Sequence, residues 1–114
     1  VDLFEKTRME EIGLIPEILP RYRSTYFSHI FDGGYAAGYY GYSWSEMLDA
    51  DVFQAFVERG DIFSREVAGA FREKILQNGG TKDALEMFKD FRGRGPKIDA
   101  LLENRGFTKG KQEK

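Results

Sequence analysis

All six tyrosines of the chain fall between residues 22 and 42, and its only histidine, His29, stands in the same window. The centre of that window reads His29-Ile30-Phe31-Asp32-Gly33-Gly34-Tyr35-Ala36-Ala37-Gly38-Tyr39-Tyr40-Gly41-Tyr42. Phenols are neutral hydrogen-bond donors near neutral pH. Such donors suit a developing oxyanion, because they stabilise it without carrying a charge of their own. On a helix advancing ~100° per residue, Tyr35, Tyr39 and Tyr42 lie within about 60° of one another, and Glu46 continues the stripe. Ala37, Tyr40, Trp44 and Leu48 occupy the other side and are expected to face the core. The same residues also read as ordinary packing: an aromatic stripe is a common core face, a lone His a common structural residue, and a Gly-rich segment a common turn.

The elements that must position these side chains are helical. Residues 1–12 suit a short amphipathic helix, ended by Gly13 and by Pro16 and Pro20, which disfavour helix in the residues before them. Residues 24–31 suit a short helix, closed by Gly33-Gly34. The spacing predicts the longest helix from Tyr35 to about Arg59, with Gly38 and Gly41 inside it at a cost of about 1 kcal/mol each against Ala. Ser64 is expected to cap a helix running through Gln77, with Val67, Phe71 and Ile75 as its apolar stripe and Asn78-Gly79-Gly80 as its stop. Thr81 is expected to cap the next helix, whose apolar face is Ala84, Leu85 and Phe88. Arg92-Gly93-Arg94-Gly95 reads as a solvated turn, and Pro96 suits the first position of a last helix that carries Ile98, Leu101 and Leu102. Gly106 ends that helix. The fold class is all-α, a small helical bundle. Residues 1–107 form the helical segment, and 108–114, with four charges and no apolar residue, read as a disordered tail.

Composition removes several function classes. The chain has 114 residues, enough for one modest core, and an ordinary 41% apolar content. Lys and Arg total 17 against 19 Asp and Glu, a net charge of −2 that does not favour nucleic acid, although Arg21 and Arg23 flank Tyr22. There are no cysteines, so disulfides and thiolate chemistry are absent. No apolar run approaches the ~20 residues of a membrane helix. With one His and no His-Glu-x-x-His, the chain cannot build an ordinary His-based zinc site alone. No phosphate-binding Gly-Lys-Ser loop is present.

The stretch from Pro20-Arg21-Tyr22-Arg23-Ser24 through the Gly33-to-Tyr42 string to Ser43-Trp44 resembles the C-terminal part of the thimet oligopeptidase family of zinc metallopeptidases. It is most similar to the bacterial peptidyl-dipeptidase branch. The resemblance continues through Leu48-Asp49-Ala50-Asp51, Phe71-Arg72, Phe91-Arg92-Gly93-Arg94 and Ala100-Leu101-Leu102-Glu103-Asn104-Arg105-Gly106, nearly the whole chain. It implies a piece of a larger, mostly helical enzyme whose two lobes wall a channel. It implies zinc held by two His of His-Glu-x-x-His and a downstream Glu, all in the missing N-terminal part of the same polypeptide, with the motif Glu activating a zinc-bound water. It assigns Tyr42 and Tyr35 to catalysis, Tyr42 as oxyanion donor and Tyr35 as its aid or as a holder of substrate backbone. His29, Tyr39, Gly33, Gly34 and Gly38 would bind substrate, the glycines by letting the loop close over peptide. The implied partners are short peptides and that missing part of the polypeptide. The implied cofactor is zinc in the parent, with none bound by this chain alone, and the expected compartment is the cytoplasm. The reading at odds with this is a free-standing helical module that binds peptides or a protein without catalysis.

Overall fold

The computed structural model describes residues 1–107, and the expected tail 108–114 lies outside them. Six α-helices and one 3-10 turn, with no strand, make up the described residues: α1 Asp2–Glu11, α2 Ser28–Phe31, α3 Gly41–Arg59, α4 Arg65–Lys74, the 3-10 turn Leu76–Asn78, α5 Ala84–Arg92 and α6 Asp99–Asn104. The all-α expectation holds. They group into two compact units, Val1–Tyr40 and the residues from Gly41 onward.

In the first unit, α1 is amphipathic by sequence but buries no residue. It is tied to the turn at 23–26 by polar contacts. The Glu5 carboxylate accepts from the Ser24 amide at 2.7 Å and from its hydroxyl at 2.6 Å. Arg23 donates to Glu5 and Asp2. The Ser24 and Arg23 hydrogen bonds lower the Glu5 carboxyl from 4.5 to about 2. A depressed carboxyl contributes fully above its unfolded value, and its contribution fades as pH falls through the folded one. Protection of the Ser24 amide from hydrogen exchange is therefore expected to hold at neutral pH and to fade between pH 4.5 and about 2. Unchanged protection at pH 2 would show that Glu5 does not hold this turn.

In the second unit α3 is the spine. Ala50 packs with Ala100 and Leu101 of α6, with Met47 alongside. Alanine at the crossing lets the two helices approach closely. Met87 and Phe88 of α5 are the other buried apolar residues among those described, and Phe71 of α4 meets Phe91 of α5 edge-on, with ring centroids 5.7 Å apart.

Several expectations about the elements need correction. The long helix starts at Gly41, not Tyr35. Gly34 has φ 76 and Ala37 has φ 53, left-handed conformations that interrupt a right-handed helix. Tyr35, Tyr39 and Tyr42 therefore do not form a helical stripe, and Ala37, Tyr40 and Trp44 are exposed rather than core. The helix from Ser64 ends at Lys74, short of Gln77, where the Asn78 side-chain Nδ2 turns back to donate to the Glu73 and Lys74 carbonyls. Asp83 caps α5, accepting from the Leu85 and Glu86 amides at 2.9 and 3.1 Å. Thr81 instead donates to the Asn78 carbonyl. Pro96 lies before α6 rather than at its first position. The helix ends expected at Ser64 and Gly106 hold: Ser64 accepts from the Val67 amide, and Gly106 has φ 74; Gly93, expected only within a turn, ends α5 with φ 70.

Candidate functional site

The first unit gathers His29, Tyr35 and Tyr39 around one imidazole. α2 is a single turn that presents His29, and a tight reversal follows it. The Asp32 and Gly33 amides donate to the Ser28 carbonyl at 2.7 and 2.8 Å, and the Tyr35 amide donates to the His29 carbonyl at 3.1 Å. Gly33 is needed there: a Cβ would sit 2.9 Å from the His29 Cα. Gly34 takes the positive φ that brings Tyr35 back toward α2. The Gly38 amide donates to the Tyr35 carbonyl at 3.0 Å, which closes the next turn and leads to Tyr39.

These turns set four aromatic rings around His29. The imidazole lies 5.2 Å from the Tyr39 ring, 5.2 Å from Tyr22, 5.8 Å from Phe27 and 6.4 Å from Tyr35. Tyr35 and Tyr39 meet edge-on at 6.1 Å, and Phe27 stacks on Tyr22 at 4.9 Å. His29 Nδ1 is buried and has no hydrogen-bond partner among the described residues. Tyr35 keeps 39% of its surface exposed. The cluster is a half-open aromatic wall with an imidazole in it, apolar on its faces and polar at its tips. Tyr22 and Phe27 were not singled out with His29 in the sequence. The signal for them was the run of aromatics on both sides of the histidine, which spacing alone did not place around it. Arg21 lies over the Tyr22 ring at 5.3 Å, whereas Arg23 is taken up by Glu5 and Asp2.

Tyr42 belongs to the second unit, on the first turn of α3, with 57% of its surface exposed. Glu46 follows one turn later and accepts from Arg105. Further along α3, Asp51 is buried, only 1% exposed. Arg94 forks onto it, Nη1 to Oδ2 at 2.7 Å and Nη2 to Oδ1 at 2.6 Å, and the Lys97 amide donates at 2.7 Å. Arg92 approaches Asp51 at 3.3 Å and forks onto Glu58 at 2.8 and 2.9 Å. Burial pushes the Asp51 carboxyl up, but the hydrogen bonds from Arg94 and Lys97 and the charges of Arg94 and Arg92 outweigh it and hold the group below the usual carboxylate range. The Arg92 hydrogen bonds likewise lower Glu58. The solvated turn expected at 92–95 is thus corrected: both arginines reach back to α3. The signal missed was Asp51 between Ala50 and Val52: Asp49 nearby is exposed, but Asp51 is buried, and a buried carboxylate needs a cationic partner.

The described residues contain no group of three or more His, Asp or Glu placed to hold a metal. As a donor set the described residues therefore do not fit zinc. No described helix is long and apolar enough to cross a membrane.

The family model for peptidase family M3 matches residues 2–107, and the chain belongs to that family. It is 51% identical over 109 residues to dipeptidyl carboxypeptidase of Escherichia coli, covering 95% of this chain and 16% of that protein. It is 54% identical over 80 residues to oligopeptidase A of E. coli, covering 70% of this chain and 12% of that protein. Saccharolysin of Saccharomyces cerevisiae is 35% identical over 80 residues, again 70% of this chain, and 11% of that protein is covered. The chain thus spans about a sixth or less of these relatives.

Proposed function

We propose that this chain is the peptide-binding and oxyanion-stabilising part of a zinc-dependent peptidase that acts on short peptides and releases C-terminal dipeptides. The zinc ligands and the base that activates water would come from the rest of the polypeptide. Family membership over residues 2–107 carries this reading. The match to a relative called dipeptidyl carboxypeptidase across 95% of the chain supports dipeptide release. The half-open His29–Tyr35–Tyr39 wall suits an extended peptide, with ring faces for side chains and donors for backbone carbonyls. In this reading Tyr42 donates to the oxyanion, Tyr35 and Tyr39 hold the substrate backbone, and His29 hydrogen-bonds near the scissile bond. Gly33, Gly34 and Gly38 keep the loop close to its ligand.

The test is hydrolysis by the full-length protein of one peptide in two forms, with a free and with an amidated C-terminus. Dipeptides are expected from the free form only, with activity lost to a chelator and restored by zinc. Cleavage of both forms at an internal bond would replace dipeptide release by endopeptidase action. Binding of both forms without hydrolysis would leave a peptide-binding module and overturn the enzyme reading.

A further inference from the structure

Tyr42 can donate to a transient oxyanion only if its phenol is aimed before the substrate arrives. Its place in the fold makes that demanding. It sits on the first turn of α3, directly after Gly41. Helix ends fray, and glycine is a poor helix former. The second turn of α3, however, is held from outside. Glu46 lies four residues after Tyr42 and so shares its face. Helical side chains lean toward the N-terminus, so Glu46 points along that face toward the preceding turn. Arg105 meets it with two donors, Nε to Oε1 at 3.2 Å and Nη2 to Oε2.

The base of this clamp is itself fixed. Arg105 is the C-cap of α6. The Gly106 amide donates to the Glu103 carbonyl and the Phe107 amide to the Leu102 carbonyl, both at 2.9 Å, while Gly106 has φ 74. That pair of bonds closes the helix end in a Schellman motif and pins the backbone of Arg105. α6 is in turn seated on α3 through Ala100 and Leu101 against Ala50. The Glu46 and Arg105 side chains remain 46% and 50% exposed, so the pair adds little to stability. Its two-point geometry gives orientation instead.

We infer that Arg105 and Glu46 are positioning residues for Tyr42, an exposed fork that fixes the first turns of α3 and thereby the direction of the phenol. The inference rests on the proposed oxyanion role of Tyr42. The test uses the full-length protein and a double-mutant cycle of Arg105→Ala with Tyr42→Phe, following kcat, KM and Tm. Arg105→Ala is expected to lower kcat roughly two- to fivefold with KM and Tm little changed. In the Tyr42→Phe background it is expected to cost nothing further. Glu46→Gln should reproduce this pattern, and Arg105→Lys, which keeps the charge but loses the fork, should recover only part of kcat. Equal kcat losses in both backgrounds, or no loss in either, would overturn the positioning role and leave the Tyr42 assignment standing. An unchanged kcat in Tyr42→Phe alone would overturn the oxyanion role, and the positioning role with it.

Discussion

Tyr42→Phe in the full-length protein is expected to lower kcat by ~10²-fold or more and to leave KM nearly unchanged, the pattern of a donor used only in the transition state. The substitution removes one oxygen and keeps the ring. Because Tyr42 is 57% exposed on a helix surface, the fold should change by no more than about 0.5 kcal/mol. A hundredfold loss corresponds to about 2.7 kcal/mol of transition-state stabilisation, within the range for a single oxyanion donor. Substrate binding need not suffer, since a ground-state carbonyl carries less charge than the oxyanion. Tyr35→Phe gives the contrast. If Tyr35 holds the substrate backbone, its loss raises KM at least as much as it lowers kcat. A Tyr42→Phe enzyme with wild-type kcat would remove Tyr42 from the oxyanion role. One with raised KM and unchanged kcat would make it a binding residue.

How far the sequence showed this site depends on what kind of information each part needed. The helix ends at Ser64 and Gly106 are local chemistry, and the residue types alone locate them. The aromatic window was also visible, because its composition is unusual. Its geometry was not. A 3.6-residue period placed Tyr35, Tyr39 and Tyr42 on one helical face, yet the chain spends Gly34 and Ala37 in left-handed conformations and begins the helix only at Gly41. Ala37 carries a Cβ and gives no sign in sequence of a positive φ. The grouping of His29, Tyr35 and Tyr39 therefore arises from turns, through the amide of Tyr35 on the carbonyl of His29, and not from periodicity. The partnership of Asp51 with Arg94 spans 43 positions. Local pattern carries no trace of it, except that a carboxylate among apolar residues requires a partner somewhere.

That partnership makes Arg94→Ala a strongly damaging change for the fold. Asp51 is 1% exposed, and Arg94 supplies both points of its fork. Removing one member of a fully buried pair typically costs about 3–5 kcal/mol; here Asp51 is buried and the Arg94 side chain is 29% exposed. Arg92 at 3.3 Å and the Lys97 amide at 2.7 Å remain to hold the carboxylate, which places the expected loss near the low end, about 3 kcal/mol. Against a total of roughly 5–15 kcal/mol, that is a large share. Arg94→Lys should lose less, because an ammonium keeps the charge and gives up only the fork. The pH dependence identifies the cause. In the native protein the Asp51 carboxyl lies below its ordinary value of 3.8, so its contribution is present above that pH and is lost as pH falls through the lower folded value. In Arg94→Ala, burial acts on the carboxyl with far less opposition, and a protonated Asp51 no longer needs the cation. The gap in unfolding free energy between the two proteins, measured by urea titration, is therefore expected to be widest at neutral pH and to shrink in acid. A gap that stays constant with pH would show that Arg94 acts through packing rather than charge. A gap under about 1 kcal/mol would place the pair among the weak surface bridges. Asp51→Asn in the Arg94→Ala background tests the same point: neutralising the stranded carboxylate should restore part of the lost stability, although in the native protein that substitution is destabilising.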